Sequence, residues 1–481
     1  MVVLEDVVRE LGQRGLLSAT SVTGSSVELR DVEHDSRAVG PGSLYCCVVG
    51  EHHNGHAFVE DAQRRGAVAL LASEPVDSSL PTVRIERAAM RRGMAVAACV
   101  VHREPSVQVP VFGITGTNGK TTTAAFLAAI LEHAGVKSEV FGTLSGARTT
   151  PESTELQRSM RRAVDGGAMA VVMEVTSHAL VLERTHGIVF ETAVFTNLGH
   201  DHLDFHGTME AYFEAKALLF SADVAREVVV NGDDPFGVRL LARCRETFPG
   251  SAVHPFGIAD AVDLRETLDG STFSWRGAPV RLALGGRHNV MNALAAATTA
   301  HVHGVDVEAI AAGISSVSSV PGRLQLVDRN AEPRVFVDYA HTPDSLHAVL
   351  TAVRAAAGGG RLIVVFGCGG DRDREKRPLM GRVVADLADV VVVTSDNPRS
   401  ENPISIIDAI TAGMGGDADC TVLVDRREAI RHAVAVAKSG DVIVVAGKGH
   451  EQGQTIGAET YAFDDVAESL RALASKKSGE L

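Results

Sequence analysis

In the opening stretch MVVLEDVVRELGQRG, apolar residues recur at helical spacing with acids and bases between them, which predicts an amphipathic helix. Up to about residue 104 short strand-like and helix-like runs alternate, with turn signals at Pro41-Gly42 and from Glu51 to Gly55. The segment HREPSVQVP, His102 to Pro110, carries two prolines and little apolar periodicity, so a linker is expected there. Beyond it VFGIT reads as a buried strand and TTTAAFLAAILEHAG as a helix, with threonine near its start and glycine just past its end. Strand-like runs recur at AMAVVMEV, TAVFTNL and EVVVNGD, separated by helix-like stretches, which predicts a mainly parallel sheet. A later block opens at PGRLQLV and repeats the rhythm through RVFVDYA, SLHAVLTAVRAAA, RLIVVFG, DVVVVTSD, CTVLVD and DVIVVAG. That alternation predicts a second doubly wound sheet, with ligands at the carboxyl ends of its strands. The expected class is α/β in three domains. These are a small N-terminal α/β domain over 1–104, a central P-loop-type domain with a mainly parallel sheet over 105–320, and a Rossmann-like C-terminal domain over 321–481.

Bulk properties narrow the function. A chain of 481 residues exceeds what one hydrophobic core supports. With 45% hydrophobic and 22% charged residues, its composition is that of an ordinary globular protein. A net charge of −14 and an aromatic share of 4% argue against a nucleic-acid footprint, which needs a basic face or stacking platforms. Any anionic ligand must then be held locally. Six cysteines without CxxC pairing read as small buried side chains in a reducing compartment. No apolar run approaches about 18 residues and the first residues lack a signal-peptide core, so the expectation is a cytoplasmic, monomeric protein that engages no membrane.

The strand VFGIT runs into Gly116-Thr117-Asn118-Gly119-Lys120-Thr121-Thr122 and then a helix. Glycines, a lysine and hydroxyls at such a junction turn backbone N–H groups and the helix dipole toward a polyphosphate. Lys120 is the candidate for the β/γ-phosphates, and the Thr121 hydroxyl for Mg²⁺. Ile114 stands where GxxxxGK[ST] has its first glycine, so the loop is a shortened variant. A lysine followed by three threonines exceeds what capping alone requires. Two later strands end in polar clusters, Glu174-Val175-Thr176-Ser177-His178 and His200 to His206 (HDHLDFH). In a doubly wound sheet such ends converge near the phosphate loop, making Glu174 and His202 candidate metal ligands. A zinc-hydrolase pattern HxHxDH competes but fails in spacing, because Phe205 follows Asp204. A polar loop with capping histidines also remains open. Lys216, in the helical stretch MEAYFEAKALLF, reads by itself as a solvated charge.

Taken together the motifs resemble the Mur peptide ligases, and within them the branch that adds the third residue of the peptidoglycan stem. The resemblance spans almost the whole chain: HDSRAVGPGSLY, GITGTNGKTTT, RTTPES, MEVTSHAL, FTNLGHDHLDFHG, EAKALLF, GGRHNVMNALAA, PGRLQ, VDYAHTPDSL, GCGGDRDREKRPLMG, SDNPRSENP and AGKGHEQ, in order. It implies a first domain for the UDP end of the substrate, a central ATPase domain and a C-terminal domain for the incoming amino acid. It also implies transfer of the ATP γ-phosphoryl group to a carboxylate of UDP-N-acetylmuramoyl-L-alanyl-D-glutamate, followed by amine attack on the acyl phosphate. By similarity Lys216 reacts with CO2 to give a carbamate that joins Thr121, Glu174 and His202 around Mg²⁺. Asn289, Arg323 and Asp338 match positions for the nucleotide base, phosphates and ribose. His34, Ser36, Glu51, His52 and His53 match positions around the uridine nucleotide, and Thr149, Thr150, Thr176 and Arg184 the rest of that substrate. Asp396-Asn397-Pro398-Arg399, together with Arg372, Gly447 and Glu451, resembles the branch that takes meso-2,6-diaminopimelate. The Arg399 fork suits the second carboxylate, which lysine lacks. Three positions depart from the family: Arg148 replaces an asparagine, Thr176 a serine, and Leu182 a frequent glutamine. The alternatives are L-lysine or another diamino acid as substrate, a folylpolyglutamate-synthase-like ligase, or a nucleotide-binding scaffold without catalysis.

Overall fold

The computed structural model describes the 481-residue chain except residues 1, 19–25, 51, 52, 147 and 416–419. Glu51 and His52, named above for the uridine nucleotide, therefore lie outside the described residues. Near the N-terminus, Asp31–Glu33, Ser43–Cys46, Ala67–Ala72 and Thr82–Arg84 form a parallel four-stranded sheet in that order. The helix Leu4–Gln13 buries Leu4, Val7 and Leu11, as the spacing predicts, in a core shared with the helix Met90–Val101.

The segment expected to be a linker contains the short helix Pro105–Gln108, begun by a proline at a position that needs no N–H donor. Next comes a six-stranded parallel sheet, ordered Val253–Phe256, Ala225–Asn231, Phe190–Phe195, Val111–Thr115, Ala170–Glu174, Ser138–Phe141. Its first strand in the chain, Val111–Thr115, lies inside the sheet, where the direction of winding reverses. A crevice opens there, at the carboxyl ends. Apolar cores cover both faces, so the inner strands Val111–Thr115 and Ala170–Glu174 are buried along their whole length, whereas the edge strands Ser138–Phe141 and Val253–Phe256 are not.

A three-stranded element in the central block departs from the parallel pattern. Val262–Thr267, Gly270–Trp275 and Ala278–Leu282 form an antiparallel meander. Arg276 and Gly277, with φ of 48° and 88°, make the two-residue turn that joins its last two strands, the conformation that a tight hairpin demands.

The last sheet is ordered Gln325–Leu326, Arg334–Asp338, Val442–Ala446, Leu362–Phe366, Val390–Val393, Cys420–Val422, with only its first strand antiparallel. A hairpin, Gly453–Ile456 with Glu459–Ala462, stands beside its carboxyl ends. Cys46, Cys47, Cys99, Cys244 and Cys368 are buried, as the composition suggested, whereas Cys420 is only partly buried. Among the described residues no helix is long and apolar enough to cross a membrane.

Side chains tie the three sheets together. Arg158 of the helix Ser153–Asp165 reaches Asp31 at 2.9 Å and also pairs with Glu33. Across the other seam, Asp344 accepts from the His200 backbone N–H at 2.7 Å, and buried Lys376 lies 3.9 Å from buried Asp201.

Candidate functional site

A cavity of about 1030 Å³ opens where the carboxyl ends of the two six-stranded sheets face each other. Thr117, Asn118, Gly119, Lys120, Thr121 and Thr122 line it on one side. Gly119 has φ of 87°, and a Cβ there would lie 2.2 Å from the Asn292 amide oxygen, so the loop requires glycine. Lys120 folds over its own loop and donates to the Gly116 and Thr117 carbonyls, both at 2.8 Å. Burial lowers its pKa, while Glu174 and Asp201 oppose the shift. Thr121 donates to Glu174 at 2.9 Å and accepts from Arg323 at 2.9 Å.

Glu174, 1% exposed, also accepts from the Thr143 N–H at 2.8 Å and the Thr143 hydroxyl at 3.1 Å. His202 has φ of 55° and precedes the turn Leu203–His206. Its ring meets His178 edge-on at 4.9 Å. Burial pushes its pKa down to about 3 despite nearby Asp201, leaving the neutral imidazole that a metal ligand requires. Burial would raise Asp201, but His202, His341 and Lys376 outweigh it and hold that carboxyl down to about 2. Among the described residues no group of three or more His, Cys, Asp or Glu side chains is placed to hold a metal unaided. The oxygens of Glu174 and Thr121 and the imidazole of His202 nonetheless suit Mg²⁺, which takes few protein ligands and completes its shell with waters and phosphates.

Lys216 lies behind the loop rather than in the cavity wall. Its side chain is 1% exposed, and Nζ donates to the Gly116 carbonyl at 2.9 Å, the same oxygen that Lys120 engages. Burial, then the Lys120 charge, pulls its pKa well below the ordinary lysine value. The solvated-charge reading of Lys216 is thereby corrected. Helical spacing turned this side chain into the sheet rather than to solvent.

Asn289, Arg323 and Asp338 all reach the cavity. The Asn289 amide donates to the Gly285 carbonyl at 2.8 Å, and Asp338, raised by burial, accepts from the Ala340 N–H at 2.7 Å. On the opposite wall lie Arg372, Asp396, Asn397, Arg399, Gly447 and Glu451; Pro398 is not in the wall. Arg399 has φ of 50°, unusual for a residue with a Cβ. It is held there from several sides: its N–H donates to the Thr455 carbonyl at 3.1 Å, its carbonyl accepts from Gly457 at 2.7 Å, and its guanidinium donates to the Gly370 carbonyl at 2.7 Å.

Of the positions assigned to the UDP-linked substrate, Thr149, Thr150, Thr176 and Arg184 line this cavity. His34, Ser36 and His53 do not. His34 Nδ1 lies 3.2 Å from the Thr154 hydroxyl, Ser36 is buried, and His53 is exposed. Of the departures, Arg148 and Thr176 are in the wall and Leu182 is not. The sequence reading passed over Thr143, Asp201, Asn292 and Lys376, which also line it. Asn292 had a usable signal, since it lies three residues beyond Asn289 on the helix Arg287–Val302.

Family models match most of the chain: the Mur ligase family catalytic domain over 28–111, the Mur ligase middle domain over 114–300, and the Mur ligase glutamate ligase domain over 322–449. A UDP-N-acetylmuramoyl-L-alanyl-D-glutamate–2,6-diaminopimelate ligase from Gloeobacter violaceus is 42% identical, covering 94% of this chain and 95% of its own. One of the same name from Geobacillus kaustophilus is 41% identical, covering 94% and 96%. A solved structure of a UDP-N-acetylmuramoyl-L-alanyl-D-glutamate–2,6-diaminopimelate ligase superposes with a TM-score of 0.64 at 32% identity, covering 93% and 95% of the two chains. The ADP complex of MurF ligase from Thermotoga maritima shares the fold, with a TM-score of 0.65 at 19% identity over 95% and 100%.

Proposed function

The chain belongs to the Mur ligase family, and from that premise we propose that it joins meso-2,6-diaminopimelate to UDP-N-acetylmuramoyl-L-alanyl-D-glutamate at the cost of ATP in peptidoglycan synthesis. The observation that carries this reading is the single cavity in which the Lys120 loop faces Arg372, Asp396, Asn397, Arg399 and Glu451. A carboxylate is a poor acylating agent; phosphorylation gives it a good leaving group. The protein's share of the work is positioning and charge neutralisation. Lys120 leaves its two carbonyls for the β/γ-phosphates, and Arg323 shifts from Thr121 to the same anion. Asn289 faces the base and Asp338 the ribose. Bound Mg²⁺ would supply further charge neutralisation, held by Thr121, Glu174 and His202. The neutral amine of Lys216 adds to CO2 and loses a proton, replacing a cation with a carboxylate in the shell around that site. Arg399 takes the distal carboxylate of the diamino acid and Arg372 that carboxylate or the other one, while Gly447 and Glu451 take the distal ammonium and nearby groups. Thr149, Thr150, Thr176 and Arg184 hold the peptidyl arm, with His34, Ser36, Glu51, His52 and His53 around the uridine nucleotide.

We further read the chain as three domains divided near 104/105 and 320/321, acting as a monomer in the cytoplasm. The division is supported by core clusters that stay within those bounds, apart from Leu268, which packs into the C-terminal core. The test is phosphate release from ATP with the UDP-dipeptide and each candidate amino acid. Release should depend on meso-2,6-diaminopimelate; equal or better turnover with L-lysine would remove the Arg399 argument.

A further inference from the structure

Among the described residues, Lys448 is a wholly buried lysine beside the amino-acid wall that the reading above leaves without a role. It follows the strand Val442–Ala446, is 0% exposed, and has no place in the cavity lining. Its Nζ donates to the Asn397 side-chain oxygen at 3.0 Å and to Glu451 Oε2 at 3.0 Å. An ammonium has only donors to offer. The same Asn397 oxygen accepts from the Thr455 backbone N–H at 2.9 Å. Two obligate donors thus converge on one atom, and an amide NH2 there would face both. Asn397 Nδ2 then meets Glu451 Oε2 at 2.8 Å, an acceptor that requires a donor opposite it. Three neighbours therefore dictate the same amide orientation, and the usual ambiguity between amide oxygen and nitrogen is removed.

We propose that Lys448 is a positioning residue for substrate selection: it locks the Asn397 amide so that the cavity meets only an N–H donor at that point. The assignment rests on the diamino-acid reading given above and deepens it. With its oxygen occupied twice, Asn397 has one remaining N–H to offer. Glu451 Oε1 accepts from no described protein donor and stays open to an ammonium. The donors of Asn397 and Arg399 and the carboxylates of Asp396 and Glu451 thus line the same cavity, with Asn397 and Glu451 in direct contact. A group carrying both a carboxylate and an ammonium meets complementary partners; a bare ammonium leaves the Asn397 donor unanswered.

The test is a double-mutant cycle with Lys448→Met, Asn397→Ala and the pair, read as KM and kcat for meso-2,6-diaminopimelate and KM for ATP by phosphate release. Lys448→Met should raise KM for the diamino acid at least about tenfold while leaving KM for ATP within about twofold, the split expected of lost substrate binding without lost nucleotide binding. The pair should be no worse than Asn397→Ala alone by more than about twofold, because Lys448 acts through that amide. Losses that multiply would overturn the assignment, as would an unchanged KM for the diamino acid in Lys448→Met. Should Lys448→Met not fold, Asn397→Asp decides with the lysine intact: its side chain accepts at both atoms, so the diamino-acid KM should rise similarly, and a KM within about threefold of the parent overturns the proposal. Absence of turnover in the unaltered protein with any diamino acid overturns the functional reading itself, and this assignment with it.

Discussion

At the scale of single residues, burial does most of the chemistry. Lys216 is held against the Gly116 carbonyl, and burial depresses its pKa, which favours the neutral, nucleophilic amine. Lys216→Ala should lower kcat by at least about 100-fold, the scale of removing a preorganised electrostatic group, and raised bicarbonate should not restore it. Phosphate release measures this, and unaltered turnover would eliminate the carbamate. Arg399→Lys keeps the charge but not the planar fork. A charged hydrogen bond of about 1.5–3 kcal/mol predicts a rise in KM for meso-2,6-diaminopimelate of about tenfold or more, with KM for ATP unmoved. Lys120, Glu174 and Arg399 were legible from the sequence because each belongs to a short contiguous motif. Lys448 was not: its partner Asn397 lies 51 positions away, and only folding makes them neighbours.

Among elements, the phosphate loop depends on a glycine that touches another helix. Gly119→Ala must relieve a 2.2 Å approach to Asn292 while holding φ of 87°. It should therefore raise KM for ATP at least about tenfold, whereas a global unfolding midpoint lowered by many degrees would point to a folding defect instead. The N-terminal sheet docks on the helix Ser153–Asp165 through Glu33 and Arg158. Burial pushes Glu33 up to about 7 from the ordinary carboxylate value, although Arg158 opposes it. A carboxyl whose folded pKa is raised binds more protons when folded, so its contribution to stability is complete below about 4.5 and is lost as pH rises toward about 7. Thermal unfolding of the parent should weaken across that window, and Glu33→Gln should flatten the slope. An equal slope in both proteins would exclude Glu33 as its source. The parallel sheets were legible because their inner strands, such as Ala170–Glu174 and Leu362–Phe366, are largely apolar runs; the edge strands Ser138–Phe141 and Val253–Phe256 are not and were missed. The antiparallel meander over 262–282 was not legible either, since its alternating pattern and Arg276-Gly277 turn lay within a block otherwise read as parallel.

At the scale of the whole molecule, catalysis needs two sheets brought face to face. The sequence indicated an α/β protein with two nucleotide-fold sheets, and it named both walls of the cavity. It did not supply the seam, because Asp201 with Lys376 and His200 with Asp344 pair across 175 and 144 positions. It assigned Thr149, Thr150, Thr176 and Arg184 to one part of a substrate and His34, Ser36 and His53 to another, and only the first four line the cavity. Lys376→Met should lower kcat while KM for ATP stays within about threefold, as expected where a group shapes the assembled state rather than ground-state nucleotide binding; a change confined to KM for ATP would contradict this. The common chamber of about 1030 Å³ also bears on inhibition. A single small molecule joining a polyphosphate mimic to an amino-acid head could engage Lys120 and Arg399 at once. Tethering makes the second capture intramolecular, so even two feeble fragments of matched reach would combine into a tight blocker.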